Sequence, residues 1–449
     1  MSASFIQPTE LLLLLEERLL NPPVDLRHLS AEEQFEIIQP RVASGSLVTP
    51  VELLERLKKS KASGKPLRVK FGIDPTGPDI HIGHAVSLIN LRLFQRMGHQ
   101  IVLVIGDFTA QIGDPSGRSD ERPALTLDDV RHNMATYEAQ AARIVDLGSS
   151  TIERHYNSEW MTRLTMQHWA DLLRKIPVSS LLQRDDFRQR LAGGHGLSMA
   201  ELEYALYMAY DSVILNPDIE LGGIDQFLNL HMCRQMMVAS GKIPEVVVAF
   251  DLIPGTTGER DSNMRLVKMS KSRGNYIAVT AEPADMYGKV MSIPDEVMWT
   301  WYRSLTEAPA QYINELEAAT RSGQVHPRDA KQLLARVVVA TFNRFSATAI
   351  EAAERDFKSK FGSEAALAPE SAVPFYANPD QSILNLLSSI SGRSKAEVRR
   401  LCEQRGIWLL KDGEAEYSSL EASWLGAPGS NLRGAMVRIG KRHYYRAGS

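Results

Sequence analysis

The sequence predicts an α/β protein: a parallel sheet, a helical region, and a small basic module towards the C-terminal end. Three observations carry this. Residues 68–73 alternate like a short strand, 81–97 show helical periodicity and 101–105 are continuously apolar; strand, loop, helix and strand within about 40 residues make a βαβ unit. A further apolar run at 246–250 supplies another strand of the buried kind. Charge is unevenly divided, with 11 basic against 6 acidic residues in 381–449 and 40 against 48 elsewhere. A basic module on an acidic body suits a polyanion-binding appendage, although the net charge of the whole chain is only -3.

Residues 9–20 and 31–60 place Leu, Ile and Val at helical spacing and are expected to be helices. Thr49-Pro50 before Val51, Leu53, Leu54 and Leu57 has the form of a capped start with proline in the first turn. After the strand at 68–73, Asp74-Pro75-Thr76-Gly77-Pro78-Asp79 is a turn by composition. The next helix stops at Gly98, a C-cap residue. The run 101–105 closes on Gly106-Asp107, and in open α/β sheets ligands collect at the carboxyl ends of the strands. Residues 125–215 read as mostly helical, 285–355 as helical again, with a glycine-containing loop around Lys268 between them. Pro369, Pro374 and Pro379 mark a linker at 361–380. The expected segments are therefore 1–60, 61–285, 286–360, the linker, and 381–449.

At 44% hydrophobic and 23% charged residues, with a mean hydropathy of -0.20, the composition excludes disordered and collagen-like classes. Cys233 and Cys402 stand far apart, which argues against a disulfide scaffold or a zinc cluster and for a reducing compartment. The run Leu11 to Leu15 is bracketed by Glu10, Glu16 and Glu17, so neither a signal peptide nor a membrane span is expected, and a cytoplasmic location is.

Two strings carry chemistry. His81-Ile82-Gly83-His84 opens a helix directly after a strand and a turn, placing two imidazoles on one helix face. The free N–H groups and positive dipole end there favour polyphosphate, and Gly83 lets a nucleotide approach the backbone. Lys268-Met269-Ser270-Lys271-Ser272 lies in a loop between Gly258 and Gly274, where two lysines three apart can close on the same phosphates. Either string alone is more often a packed or solvated surface feature. The histidine pair lacks further clustered ligands, so no protein-held metal is expected.

Together, in this order, the two strings resemble the signatures of class I aminoacyl-tRNA synthetases. The segments 72–84, Ile112-Gly113-Asp114-Pro115-Ser116-Gly117, Tyr210-Asp211-Ser212 and 220–226 resemble tyrosyl-tRNA synthetases of bacterial type, and 431–443 is similar to the end of that family's small RNA-binding domain. The resemblance implies a Rossmann-like nucleotide-binding catalytic domain at 61–285, whose helical insertion at about 130–210 pairs subunits into a homodimer. It also implies a helical domain at 286–360 and an α+β RNA-binding domain at 381–449, behind an N-terminal helical extension. It implies ATP-dependent activation of L-tyrosine and transfer to tRNA(Tyr), with Mg2+ accompanying the ATP.

By the same resemblance His81, His84 and Thr76 act on the ATP phosphates, Lys268 and Lys271 hold the departing pyrophosphate, and Ser270 binds ATP. Gly72, Asp74, Gly83, Gly223 and Asp225 complete the ATP site; Asp114, Tyr204 and Gln226 surround the amino and carboxylate groups, and Asp211 accepts from the phenol. Arg393, Lys395, Arg399, Arg400 and Lys441 are expected to contact RNA phosphates. Three positions differ from one major branch of the family: Lys70 in place of a hydroxyl-binding tyrosine (the other bacterial branch, which the Lys-Met-Ser-Lys-Ser spelling also suits, tolerates a lysine there), Met208 in place of a glutamine near the amino group, and Ile224 in place of a small hydroxyl residue. A paralogue activating a related aromatic amino acid and a catalytically silent RNA-binding protein are the alternatives.

Overall fold

The computed structural model describes residues 7–43, 50–77, 79–115, 125–182, 185–194, 196–361, 372–411, 417–440 and 443–448. Lys441 and half of the expected linker, 362–371, lie outside them. The chain divides into two compact units, Met1–Ile350 and Glu351–Ser449.

The first unit is built on five parallel strands: β1 (Arg68–Ile73), β2 (Gln100–Ile105), β3 (Ile152–Tyr156), β4 (Ile219–Gly223) and β5 (Val246–Phe250), in the spatial order β3-β2-β1-β4-β5. β5, and β2 after Gln100, are apolar throughout, as strands of a parallel sheet covered on both faces should be. From β1 the chain goes to β2 on one side and later returns to β4 on the other. The carboxyl ends of β1 and β4 thus flank the switch point at which open α/β sheets bind ligands.

β3 was not evident in a region read as mostly helical. Its Ile-Glu-Arg-His-Tyr is half-exposed, as a charged sheet-edge strand should be. The opposite edge is blunted by the N-terminal segment: Val42 bridges Phe250, and the Ala43 N–H donates to the Ala249 carbonyl at 2.7 Å.

The stretch expected to be helical over 31–60 is two helices, Ala31–Ile38 and Pro50–Ser63, the second opening at the proline expected to start a helix. Pro40, which has no N–H to donate, sits in a 3₁₀ turn at Gln39–Arg41 after the first of them. That first helix starts in a capping box, the Ser30 hydroxyl accepting from the Glu33 N–H and the Glu33 carboxylate from the Ser30 N–H. Ahead of it, Pro8–Leu20 buries Leu11, Leu15 and Leu19 against the helices Ala310–Arg321 and Pro327–Phe342, and Glu16 pairs with Arg336 at 2.6 Å. Among the described residues no helix is long and apolar enough to cross a membrane.

His99, at the start of β2, is buried; its Nδ1 accepts from the Leu67 N–H at 3.3 Å while Nε2 faces the Gln34 amide oxygen at 3.0 Å. Only the neutral ring satisfies both contacts, and burial pushes its pKa down to about 4. The unfolded chain takes up a proton near 6.5 that the folded chain refuses. This contribution is therefore whole above about pH 6.5 and declines by about 1.4 kcal/mol per pH unit down to about pH 4. Thermal melting between pH 7.5 and 5 should show Tm falling with acid, with a shallower fall in His99→Gln.

In the second unit β6 (Val373–Phe375), β7 (Ile407–Leu410), β8 (Ser418–Ser419), β9 (Met436–Ile439) and β10 (His443–Ala447) form a mixed sheet in the order β6-β10-β9-β7-β8. Helices Ile383–Ser391 and Lys395–Glu403 bury Ile383, Leu387 and Val398 against Ile407, Val437 and Ile439 of the sheet. Gly392, in the left-handed region, ends the first helix, and Ser394 caps the second through Glu397. The expected small α+β module is present.

Candidate active site

At the end of β1 the chain turns through Asp74, whose carboxylate accepts from the Thr109 hydroxyl at 2.7 Å and the Tyr204 hydroxyl at 2.8 Å. A Cβ on Gly106 would lie 2.0 Å from the same carboxylate, so β2 can pass this turn only as glycine. The turn delivers His81 to the N-cap of the helix Ile82–Arg96. The His81 and His84 rings stack with centroids 3.7 Å apart. His81 Nδ1 is buried without a hydrogen-bond partner among the described residues. Burial, then the neighbouring His84, Lys271 and Lys268, hold its pKa far below the imidazole range, at about 2. The ring is neutral at neutral pH.

The lysine loop closes on this helix start. Lys271 Nζ donates to the Asp79 carbonyl at 2.5 Å, and Lys268 pairs with Asp225 at 3.2 Å. Met269 is buried behind Gly83, where an added Cβ would come 3.4 Å from the methionine Cβ and 2.9 Å from His81 Nδ1. A Cβ on Gly77 would likewise lie 3.7 Å from Lys271 Nζ. The loop is anchored on both sides: before it, the Met269 N–H bonds to Ile253 O and the Gly255 N–H to Val267 O; after it, the Ile82 N–H bonds to Ile277 O and the Val279 N–H to Ile80 O. The two strings of the sequence, some 180 residues apart, therefore share one cleft at the switch point.

On the other side of the cleft Gln226 Nε2 donates to Asp114 at 2.7 Å and is itself oriented by Asn229 at 2.8 Å. Tyr204 stands with Asp74. Asp211 is buried and accepts from the Trp160 indole at 2.8 Å and the Asn157 amide at 3.4 Å. Burial raises its pKa to about 7, against the opposing pull of Lys70. Asn157 also donates to Thr109, so a hydrogen-bonded chain runs Tyr204–Asp74–Thr109–Asn157–Asp211 across the pocket. Thr109, Asn157 and Trp160 were absent from the expected site; the last two follow the edge strand that the sequence concealed. Gly72 and Thr76 lie at the cleft rim, Gly72 exposed with open space where a Cβ would go. A Cβ on Gly223 would come 2.6 Å from the Asp225 carboxylate.

The departures from the family pattern have partners. Met208 and Ile224 both pack on the apolar cluster of Leu230, Val247 and Ala249, so the two apolar replacements belong to one wall. Lys70 Nζ is buried and turned to Glu220 at 2.8 Å. Among the described residues Glu220, Cys233 and Glu245 form the single grouping with metal-ligand proximity. It is sealed and already contains the Lys70 ammonium, so it does not suit magnesium, which keeps its waters.

In the second unit Lys395 and Arg399, one helical turn apart, line a groove of about 520 Å³ with Ser382, Asn385 and Glu403. Arg400 is exposed and Arg393 half-buried beside them.

Residues 61–358 match the family described as tRNA synthetases class I (W and Y). The chain is 39% identical over 419 residues to a tyrosine–tRNA ligase of Thermotoga maritima, covering 93% of this chain and 98% of that protein. It is 40% identical over 362 residues to the Haemophilus influenzae tyrosine–tRNA ligase, covering 80% and 86%. Among solved structures, a C-terminally truncated mitochondrial tyrosyl-tRNA synthetase of Aspergillus nidulans shares the fold at a TM-score of 0.55 and 18% identity, over 78% of this chain and 98% of that one. The tyrosyl-tRNA synthetase of Aeropyrum pernix does so at 0.54 and 19%, over 74% and 100%. With the cleft, the paired signatures and the full-length similarity in agreement, the chain belongs to the class I tRNA synthetases of the tryptophan and tyrosine group, in its tyrosyl branch.

Proposed function

We propose that this enzyme is a tyrosine–tRNA ligase that activates L-tyrosine with ATP and transfers it to the 3'-terminal adenosine of tRNA(Tyr). The observation that carries the reading is the convergence of His81 and His84 with Lys268 and Lys271 on one cleft.

In the first step a tyrosine carboxylate oxygen attacks the ATP α-phosphorus in line, and pyrophosphate leaves. His81, neutral, donates a hydrogen bond as charge grows on the phosphoryl oxygens, with His84 and Thr76 beside it. Lys268 and Lys271 exchange Asp225 and the Asp79 carbonyl for the departing pyrophosphate, with Ser270 between them. Gly72, Asp74, Gly83, Gly223 and Asp225 line the adenosine. Asp114, Tyr204 and Gln226 hold the amino and carboxylate end, and Asp211 accepts from the phenol. Magnesium arrives on the ATP phosphates rather than on a protein site. In the second step the tRNA hydroxyl attacks the acyl carbon and AMP leaves.

The second unit holds the RNA through Arg393, Lys395, Arg399 and Arg400, with Lys441 assigned from sequence alone. We place the enzyme in the cytoplasm as a homodimer paired through 130–210, a reading supported by exposed Met166, Val178, Leu191 and Met199 in that region. Removing residues after about 380 should leave adenylate formation nearly intact and cripple tRNA charging; equal loss of both steps in paired assays would contradict separate roles.

Amino-acid-dependent pyrophosphate exchange with a panel of aromatic amino acids tests the whole reading. Tyrosine should give the highest kcat/KM. Tryptophan or a modified tyrosine outperforming it would establish the paralogue instead, and absence of exchange with retained tRNA binding would establish the silent alternative.

A further inference from the structure

The group of polar side chains around Lys70 takes no part in the steps above, and it is sealed. Lys70, Ser212, Glu220, Cys233 and Glu245 are all at most 1% exposed. Lys70 Nζ lies 2.8 Å from Glu220 Oε1, donates to Ser212 Oγ at 2.7 Å and reaches the Met208 carbonyl at 3.4 Å. Ser212 Oγ in turn stands 3.1 Å from Glu245 and 3.3 Å from Glu220. Two carboxyls this close in an apolar interior cannot both ionise. Burial and then the Glu220 charge drive the Glu245 carboxyl well above the carboxylate range. Glu220 stays below it, because Lys70 and the hydrogen bond from Glu245 outweigh its own burial. Cys233 is likewise held as the thiol by burial. The enclosed group is thus one ammonium, one carboxylate, one carboxylic acid and one thiol, neutral in sum.

Burying such a set is costly compared with apolar packing of equal volume, so its placement is informative. Met208 and Ser212, the two α-helical residues that Lys70 grips, bracket Asp211 on the helix Met199–Leu215. We propose that Lys70 is a positioning residue for tyrosine recognition: from β1 it clamps the turn that carries Asp211, and its charge, facing that carboxyl through the protein interior, keeps Asp211 ionised to accept the phenol hydroxyl. This rests on the assignment of Asp211 as phenol acceptor.

The groups facing Asp211 are few. Lys70 on β1 and Glu220 on β4 lie on the enclosed side, with Cys233 and Glu245 behind them; Asn157 and Trp160 donate from the segment after β3. His155 lies beyond the Trp160 ring, at 6.0 Å between centroids, next to Glu153. Without the ammonium, Glu220 would lose its paired cation and take up a proton, as a buried carboxylate does, and Asp211 would lose the positive charge that favours its ionised form. Asp211 would then take up its proton at a higher pH.

The test is the pH dependence of KM for tyrosine in pyrophosphate exchange by the full-length enzyme. The wild type should show KM rising as pH falls through about 7. In Lys70→Met the rise should begin about one pH unit higher, which is about tenfold in KM on the acid limb, with kcat on the alkaline plateau nearly unchanged. A folded Lys70→Met enzyme whose profile superimposes on the wild type overturns the proposal. If that variant does not fold, Glu220→Gln/Glu245→Gln leaves the ammonium facing Asp211 uncompensated. The rise must then move to lower pH, and an unmoved profile overturns the proposal equally. Asp211→Asn separates the underlying assignment. If it keeps both the wild-type KM and its acid rise, Asp211 does not receive the phenol and the proposal falls with that assignment. If it abolishes the rise while Lys70→Met leaves it in place, the positioning role alone is wrong.

Discussion

His81→Ala is expected to lower kcat for adenylate formation by about 10²–10³-fold while leaving KM for tyrosine nearly unchanged, the loss typical of a hydrogen-bond donor engaged in the transition state. His81 caps a helix whose first N–H groups and dipole already favour phosphate, and its ring is buried against His84. Because burial and nearby cations hold it neutral, it contributes an N–H rather than a charge. The rate should therefore show no step from His81 ionisation between pH 6 and 8. Single-turnover adenylate formation at saturating ATP and tyrosine is the appropriate measurement. A raised KM with kcat intact would mean that His81 serves ground-state binding instead.

Asp211→Asn is expected to collapse discrimination between tyrosine and phenylalanine. The carboxylate accepts from Trp160 and Asn157 and has capacity left for a third donor, which on the proposed reading the tyrosine phenol would supply and phenylalanine would not. A hydrogen bond to a charged group contributes about 1.5–3 kcal/mol, roughly 10- to 150-fold in kcat/KM for tyrosine. An asparagine keeps the shape but offers a neutral oxygen, and its amide N–H₂ must face one of the two donors, Trp160 or Asn157, donor against donor. Exchange kinetics with the two amino acids read the ratio directly. A loss for tyrosine and phenylalanine alike would point to a packing defect and not to hydroxyl recognition.

Much of the catalytic scaffold was legible because its elements carry strong local signals. β1 alternates polar and apolar residues, β2 and β5 are buried runs with little polar interruption, and the helix after His81 repeats its apolar face every three to four residues. The edge strand β3 was not legible, since half-exposed Glu153, Arg154 and His155 look the same in a strand, a helix or a loop. With it went Asn157 and Trp160, whose contact with Asp211 spans more than 50 residues. Pro40 was visible, but its power to stop the second helix was overlooked against the apolar periodicity around it. Lys70, Met208 and Ile224 were read as isolated oddities. Their explanations, Glu220 for the first and a shared apolar wall for the other two, exist only after β1, β4 and the intervening helix have been brought together.

The lysine loop has one more implication. The Ser270 N–H bonds to the Asn275 side chain and the Asn275 carbonyl accepts from the Thr256 N–H; four residues lie between these anchors, and on the proposed reading they carry Lys271 from the Asp79 carbonyl to a phosphate. Each added residue would lengthen this short arch by up to about 3.3–3.6 Å, a stride longer than any hydrogen bond the lysine must make. The span should consequently accept changes of side chain at Ser272 or Arg273 far more readily than a change in residue number. Length, not composition, is what keeps the gate in step with the histidines.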